Sequence, residues 1–208
     1  MTADELMGQG PFIPVITIER VADAVPLARA LVSGGVRVLE VTLRTPVALD
    51  AIKEMSHVQG AIVGAGTVLN ARDAERAAAA GARFLISPGL TEPLARAAAE
   101  LRLPYLGGVA TPGDVMRGLD LGLDRFKFFP AETYGGAATL KAFAGPFTQV
   151  RFCPTGGITE ASAPSYLALP NVGCVGGTFA TPKAAVDTGD WASVTELARR
   201  AAGLTARS

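Results

Sequence analysis

Apolar, β-branched-rich runs recur along the chain: FIPVITI (12–18), VRVLEVTL (36–43), AIVGAGTV (61–68), FLISP (84–88), YLGGVA (105–110), RFKFF (125–129), VRFCPTG (150–156) and GCVGGTF (173–179). Anchors near their centres, at Val15, Leu39, Ile62, Leu85, Leu106, Phe128, Phe152 and Val175, stand 21 to 24 residues apart. Short apolar runs bounded by turn residues read as strands. The segments between them are rich in Ala, Arg and Glu and carry helix punctuation. Residues 23–35 end in Gly34-Gly35, a stop signal. Residues 70–82 open on Asn70 as a cap and close at Gly81. Residues 91–103 begin with Thr91 and place Pro93 in the first turn, and Thr111-Pro112 opens residues 111–123 in the same way.

Strand and helix therefore alternate, which predicts parallel strands joined by helical crossovers. Eight such units in 208 residues predict an α/β, single-domain (β/α)8 TIM barrel near the lower size limit of that fold. Residues 1–11 form a short N-terminal extension that can be helical, and no linker divides residues 1–208. The competing architecture, a doubly wound open sheet, would show G-x-G-x-x-G after its first strand. The nearest match, Gly64-Ala65-Gly66, follows the third strand and has Leu69 where the last glycine belongs.

Composition narrows the function. Hydrophobic residues are 49% and charged residues 18%, which excludes a disordered chain. Lys plus Arg and Asp plus Glu balance at 19 each, so the basic excess of a nucleic-acid binder is missing. One histidine, His57, and two cysteines, Cys153 and Cys174, leave little for a metal site or a disulfide framework. The N-terminus lacks the basic and apolar regions of a signal peptide, and no apolar run is long enough to span a membrane. A soluble, cytoplasmic protein is the expectation. His57 reads as a surface residue or cap, the cysteines as small core residues, and Trp191 as an anchor for a C-terminal segment.

In a barrel, chemistry collects at the C-terminal ends of the strands. Of four lysines, only Lys127 lies inside an apolar strand, between Phe126 and Phe128. By alternation it points away from both, into the barrel if the phenylalanines face the helices. Taking an ammonium out of water favours the neutral amine, the form that attacks a carbonyl to make a Schiff base. The plainer alternative is a lysine at a strand end or paired with a carboxylate. Glu40, Thr42 and Arg44 share one face of the second strand. Arg44 could clamp a substrate carboxylate and Glu40 could move protons, or the two could form an internal ion pair. Thr155-Gly156-Gly157 and Gly176-Gly177-Thr178 mark the ends of strands seven and eight. Barrels often bind phosphate there on backbone N–H groups, although glycine pairs also simply turn a chain. Gly64-x-Gly66-Thr67 reads similarly as room for substrate, with Thr67 a donor.

The strings VRVLEVTLRTP (36–46), VGAGTVLN (63–70), ISPGLTEPL (86–94), RFKFFPAE (125–132), AGPFTQVRFCPTGGI (144–158) and VGGTFATP (175–182) cover nearly the whole chain in order. In them the chain closely resembles the bacterial 2-keto-3-deoxy-6-phosphogluconate (KDPG) aldolase and 4-hydroxy-2-oxoglutarate (KHG) aldolase family. The resemblance implies a class I aldolase on a (β/α)8 barrel, without metal or cofactor and commonly a homotrimer. It further implies Lys127 as Schiff-base lysine, Glu40 as general acid/base, and Arg44 and Thr67 on the pyruvyl carboxylate. Pro88 becomes a pocket wall, and Gly156, Gly157, Gly177 and Thr178 hold the substrate phosphate. Two positions depart from the family pattern: Gly107 stands where proline is frequent, and Thr178 where serine is common.

The implied reaction cleaves 2-dehydro-3-deoxy-6-phospho-D-gluconate to pyruvate and D-glyceraldehyde 3-phosphate, with 4-hydroxy-2-oxoglutarate as a second substrate. The alternatives are an aldolase for the C4 epimer of the galactonate series, a sugar-phosphate isomerase using Glu40 without a covalent step, and a non-enzymatic sugar-phosphate binder.

Overall fold

The computed structural model describes residues 1–205; the last three residues of the expected 1–208 domain lie outside the described part. Eight parallel strands follow the eight apolar runs: β1 (Phe12–Ile16), β2 (Val38–Thr42), β3 (Ile62–Gly66), β4 (Leu85–Ile86), β5 (Tyr105–Val109), β6 (Arg125–Phe128), β7 (Arg151–Pro154) and β8 (Val175–Gly177). The ladder runs in sequence order from β1 to β7, and β8 pairs with β1. Bridges Phe152–Val172 and Thr155–Gly176 join β7 to the β8 region and bring the barrel close to full closure.

The helices are α1 (Ala3–Met7), α2 (Ala24–Ser33), α3 (Ala48–Ser56), α4 (Ala71–Ala79), α5 (Glu92–Glu100), α6 (Pro112–Asp120), α7 (Gly136–Phe143), α8 (Ala163–Leu167), α9 (Lys183–Thr188) and α10 (Trp191–Ala202). The punctuation behaves as expected at most of them. Asn70 Oδ1 accepts from Asp73 N at 2.9 Å, Thr111 and Asp114 form a reciprocal capping box, and Gly34 closes α2. Thr91 is the N-cap of α5 but its hydroxyl makes no capping bond; Glu92 instead holds Arg96 one turn on. The segment starting at Asp23 enters through a short 3-10 turn, Val21–Asp23, before α2 begins at Ala24.

Side-chain alternation along the strands sorts two cores. Outward residues such as Leu39, Val41, Phe126, Phe128 and Phe152 pack under the helices, which present many alanines and so approach closely. Inward residues Ile13, Val38, Ile62, Phe84, Ile86 and Leu106, with Cys153 and Cys174, form a second cluster inside the barrel. Leu6 and Met7 of α1 belong to that inner cluster, so the N-terminal extension plugs the bottom of the barrel. Asp4 pins this plug to the barrel through Arg125 Nε at 2.6 Å. His57 is the exposed C-cap of α3, and Trp191 packs on the outer core from the first turn of α10. Among the described residues, no helix is long and apolar enough to cross a membrane.

Candidate active site

Lys127 points inward, as alternation requires: Phe126 and Phe128 lie in the outer core, while Lys127 is only 4% exposed. Its Nζ donates to Glu40 Oε1 at 3.1 Å, and Glu40 is 2% exposed. The internal ion pair is therefore Glu40–Lys127 and not Glu40–Arg44. The register explains the meeting. Glu40 pairs with Val15 and Gly64, Lys127 pairs with Gly108 and Cys153, and β2 and β6 face each other across the ring.

Room for Glu40 comes from β3. A Cβ at Gly66 would overlap Glu40 Oε1 and stand 2.6 Å from its Cγ, while the space beside Gly64 is filled by the Phe84 ring. The two glycines of G-x-G thus make room for protein side chains, which corrects the expectation that they leave room for substrate. Phe129 lies beside the amine, its ring centroid 5.3 Å from Lys127 Nζ, a cation–π distance. A cis Phe129–Pro130 bond follows it.

Arg44 lies past the end of β2 and is exposed at the mouth. Its Nε donates to Thr67 Oγ1 at 3.2 Å, bringing together the two residues expected at a carboxylate. Thr67 adopts φ +57, a left-handed conformation that is rare for a β-branched residue and costs on the order of 1–3 kcal/mol. Such a cost persists where the surroundings hold a side chain in a required direction. Thr42, on the same face, is occupied otherwise, donating to the Ile16 carbonyl at 2.9 Å and accepting from the Thr17 hydroxyl at 3.2 Å.

Pro88 stands in the turn after β4, its carbonyl lying over Gly108. The FLISP run is a two-residue strand because the chain turns there toward the barrel interior. Gly156 and Gly157 both have left-handed φ, +105 and +81. This loop is tied to the segment after β6: Ala131 N donates to Thr155 O at 2.8 Å and Glu132 N to Gly156 O at 3.1 Å. Gly177 is buried at the end of β8, close to the Ile158 carbonyl, so the two glycine pairs come together. Thr178 is exposed and lines a cavity of about 360 Å³ that reaches Val15, the neighbour of Glu40. Glu19, Lys183 and Asp187 line its outer end, with Lys183 paired to Asp187 at 2.9 Å.

Sequence reading did not single out Phe129 or Thr155 as site residues. Thr155 is buried and points inward, against Gly176; its signal was the alternation from Cys153, the register partner of Lys127. Among the described residues, no group of three or more His, Cys, Asp or Glu side chains is placed to hold a metal ion.

Fold and site together define a (β/α)8 barrel enzyme with an amine–carboxylate pair at the base of its mouth. The family model described as KDPG and KHG aldolase matches residues 3–197, and the chain belongs to that family. It is 53% identical over 201 residues to the KHG/KDPG aldolase of Escherichia coli (strain K12), covering 96% of this chain and 94% of that protein. A crystal structure of the 2-keto-3-deoxy-6-phosphogluconate aldolase of Zymomonas mobilis ZM4 with 3-phosphoglycerate superposes with a TM-score of 0.93 at 55% identity, over 98% of this chain and 96% of that one. The KDPG aldolase from Legionella pneumophila, with pyruvate captured as a covalent carbinolamine, superposes with a TM-score of 0.95 at 45% identity, over 97% and 98%.

Proposed function

We propose that this protein is a class I aldolase, a carbon–carbon lyase that cleaves 2-dehydro-3-deoxy-6-phospho-D-gluconate to pyruvate and D-glyceraldehyde 3-phosphate. The observation that carries the reading is the buried Lys127–Glu40 contact at 3.1 Å. Family membership and the names of the relatives supply the substrate class.

Glu40 takes a proton from Lys127, and the free amine attacks the C2 ketone to give a carbinolamine. Glu40 returns the proton to the C2 hydroxyl, which leaves as water, and an iminium forms. Glu40 then accepts the C4 hydroxyl proton as the C3–C4 bond breaks, the bonding electrons passing into the iminium to give an enamine. The aldehyde departs, C3 is protonated, and water hydrolyses the imine to release pyruvate and restore the amine. Arg44 and Thr67 hold the carboxylate end, Pro88 walls the pocket, and Gly156, Gly157, Gly177 and Thr178 hold the phosphate. Fixing both ends positions the bond to be broken.

The same lysine chemistry serves 4-hydroxy-2-oxoglutarate, which would give pyruvate and glyoxylate; the double name of the E. coli relative supports that second substrate. A homotrimer acting in the cytoplasm completes the reading, on the strength of the family resemblance and the phosphorylated substrate.

Borohydride reduction in the presence of pyruvate tests the mechanism. A pyruvate-dependent mass gain on the peptide holding Lys127 is expected, and Lys127→Arg abolishes both adduct and cleavage. Wild-type protein that never traps pyruvate would overturn the covalent mechanism, and the absence of any cleavage beside it would favour the sugar-phosphate isomerase that uses Glu40 without a covalent step.

A further inference from the structure

The turn after β4 folds over the inner face of β5. A Cβ at Gly108 would overlap the Pro88 carbonyl oxygen and lie 2.7 Å from the Gly89 nitrogen. Because Gly108 is the register partner of Lys127, the Pro88-Gly89 turn stands one strand from the amine. On the outer face this turn is tied down. Ser87 Oγ donates to the Gly89 carbonyl at 2.6 Å. Its single proton is engaged there, so it accepts from the Tyr105 hydroxyl, also at 2.6 Å.

Both hydroxyls are out of water, with Ser87 1% and Tyr105 4% exposed. Burial pushes the Tyr105 phenol up to about 12, so it keeps its proton and remains a donor near neutral pH. The ring needs space on β5, where Tyr105 and Gly107 share the outer face. A Cβ at Gly107 would lie 3.2 Å from both Cε1 and Oη of Tyr105. Glycine at 107, the departure from the family's proline, leaves the ring free to reach Ser87.

We propose that Tyr105 and Ser87 form a latch that sets the Pro88 turn against the Lys127 pocket, acting as positioning residues for imine and enamine formation. The proposal deepens the aldolase reading and rests on it. Without the Tyr105 hydroxyl, Ser87 loses a donor and the turn relaxes away from the amine. Displacements of about 1 Å from catalytic geometry can cost 10²-fold, so a smaller relaxation is expected to cost about tenfold.

The test is hydrogen–deuterium exchange at C3 of pyruvate, a half-reaction that needs imine and enamine but no phosphate. Tyr105→Phe is expected to slow it about tenfold, and to lower kcat by the same factor for phosphorylated and non-phosphorylated substrates with KM little changed. Ser87→Ala should match it, and the double variant should lose no more than either single one. A purely structural role would lower Tm and leave exchange by the folded protein unchanged. Exchange by Tyr105→Phe within twofold of wild type, or losses that multiply in the double variant, would overturn the latch. Should Tyr105→Phe fail to fold, Ser87→Ala decides by the same criterion. Wild-type protein that traps no pyruvate under borohydride overturns the aldolase reading and the latch together; trapping with unaltered exchange in the variants overturns the latch alone.

Discussion

Glu40 and Lys127 rise from facing strands of the barrel, β2 and β6, and their side chains meet at 3.1 Å across the lumen. Each of these buried charges has its ionic partner on the opposite wall. Lys127→Met would leave the Glu40 carboxylate buried and unpaired, at a cost of about 3–5 kcal/mol. Adding Glu40→Gln to Lys127→Met is expected to recover most of that loss. Urea unfolding of the two single variants and the double variant measures it; equal and additive losses would mean the pair is not coupled.

In kinetics, Glu40→Gln keeps the shape and removes the base. A loss of about 10²–10⁴ in kcat is expected, with the Lys127 adduct still trappable but formed slowly. Single-turnover trapping against time distinguishes slow formation from none.

Gly66→Ala should act on Glu40 alone. Its Cβ would displace the carboxylate from the position that Lys127 contacts. At least a tenfold fall in kcat is expected, and Arg44 keeps its place beside Thr67, so inhibition by pyruvate should change little. A variant with wild-type kcat would show that Glu40 needs no fixed seat.

For the phosphate end, Gly157→Ala combines a left-handed φ of +81 with a Cβ 2.6 Å from Glu132 Cγ. The KM for the phosphorylated substrate is expected to rise about tenfold, roughly 1.4 kcal/mol of binding. For 4-hydroxy-2-oxoglutarate it should stay within twofold. Equal effects on both substrates would make the glycine pair a turn and nothing more.

The plug at the bottom of the barrel is expected to loosen in acid. Hydrogen bonding to Arg125, and its charge, hold the Asp4 carboxyl below its ordinary value of 3.8. Folding therefore lowers this pKa, so the contribution is present above the unfolded value and is lost as pH falls through the folded one. Below about pH 4, amide exchange at Leu6 and Met7 should accelerate in wild type relative to Asp4→Asn measured at the same pH. Parallel curves for the two proteins would show that Asp4 does not hold α1 in place.

Much of the fold and site was legible because period-two alternation is a local property. It aimed Lys127 and Glu40 inward, and the 21- to 24-residue spacing implied eight strands. What stayed hidden depends on distances across the chain. Nothing local distinguishes Arg44 from Lys127 as the partner of Glu40, since the choice is made by which strand faces β2 across the ring. The β3 glycines announce space, but only packing reveals that Phe84 and Glu40 fill it. The shortness of β4 likewise follows from the inward turn at Pro88, which Gly108 admits from the neighbouring strand.

With Leu6 and Met7 joined to the inward strand residues that fill its lower end, the barrel is a cul-de-sac. Reactants and products share one doorway, and in the proposed mechanism pyruvate stays bonded to Lys127 at its inner end. The aldehyde, the outer fragment, must leave first. Cleavage is thus committed to an ordered release, and in the synthetic direction pyruvate must enter before its partner. Product-inhibition patterns should carry that order as the joint imprint of a covalent bond to Lys127 and an interior with no second exit.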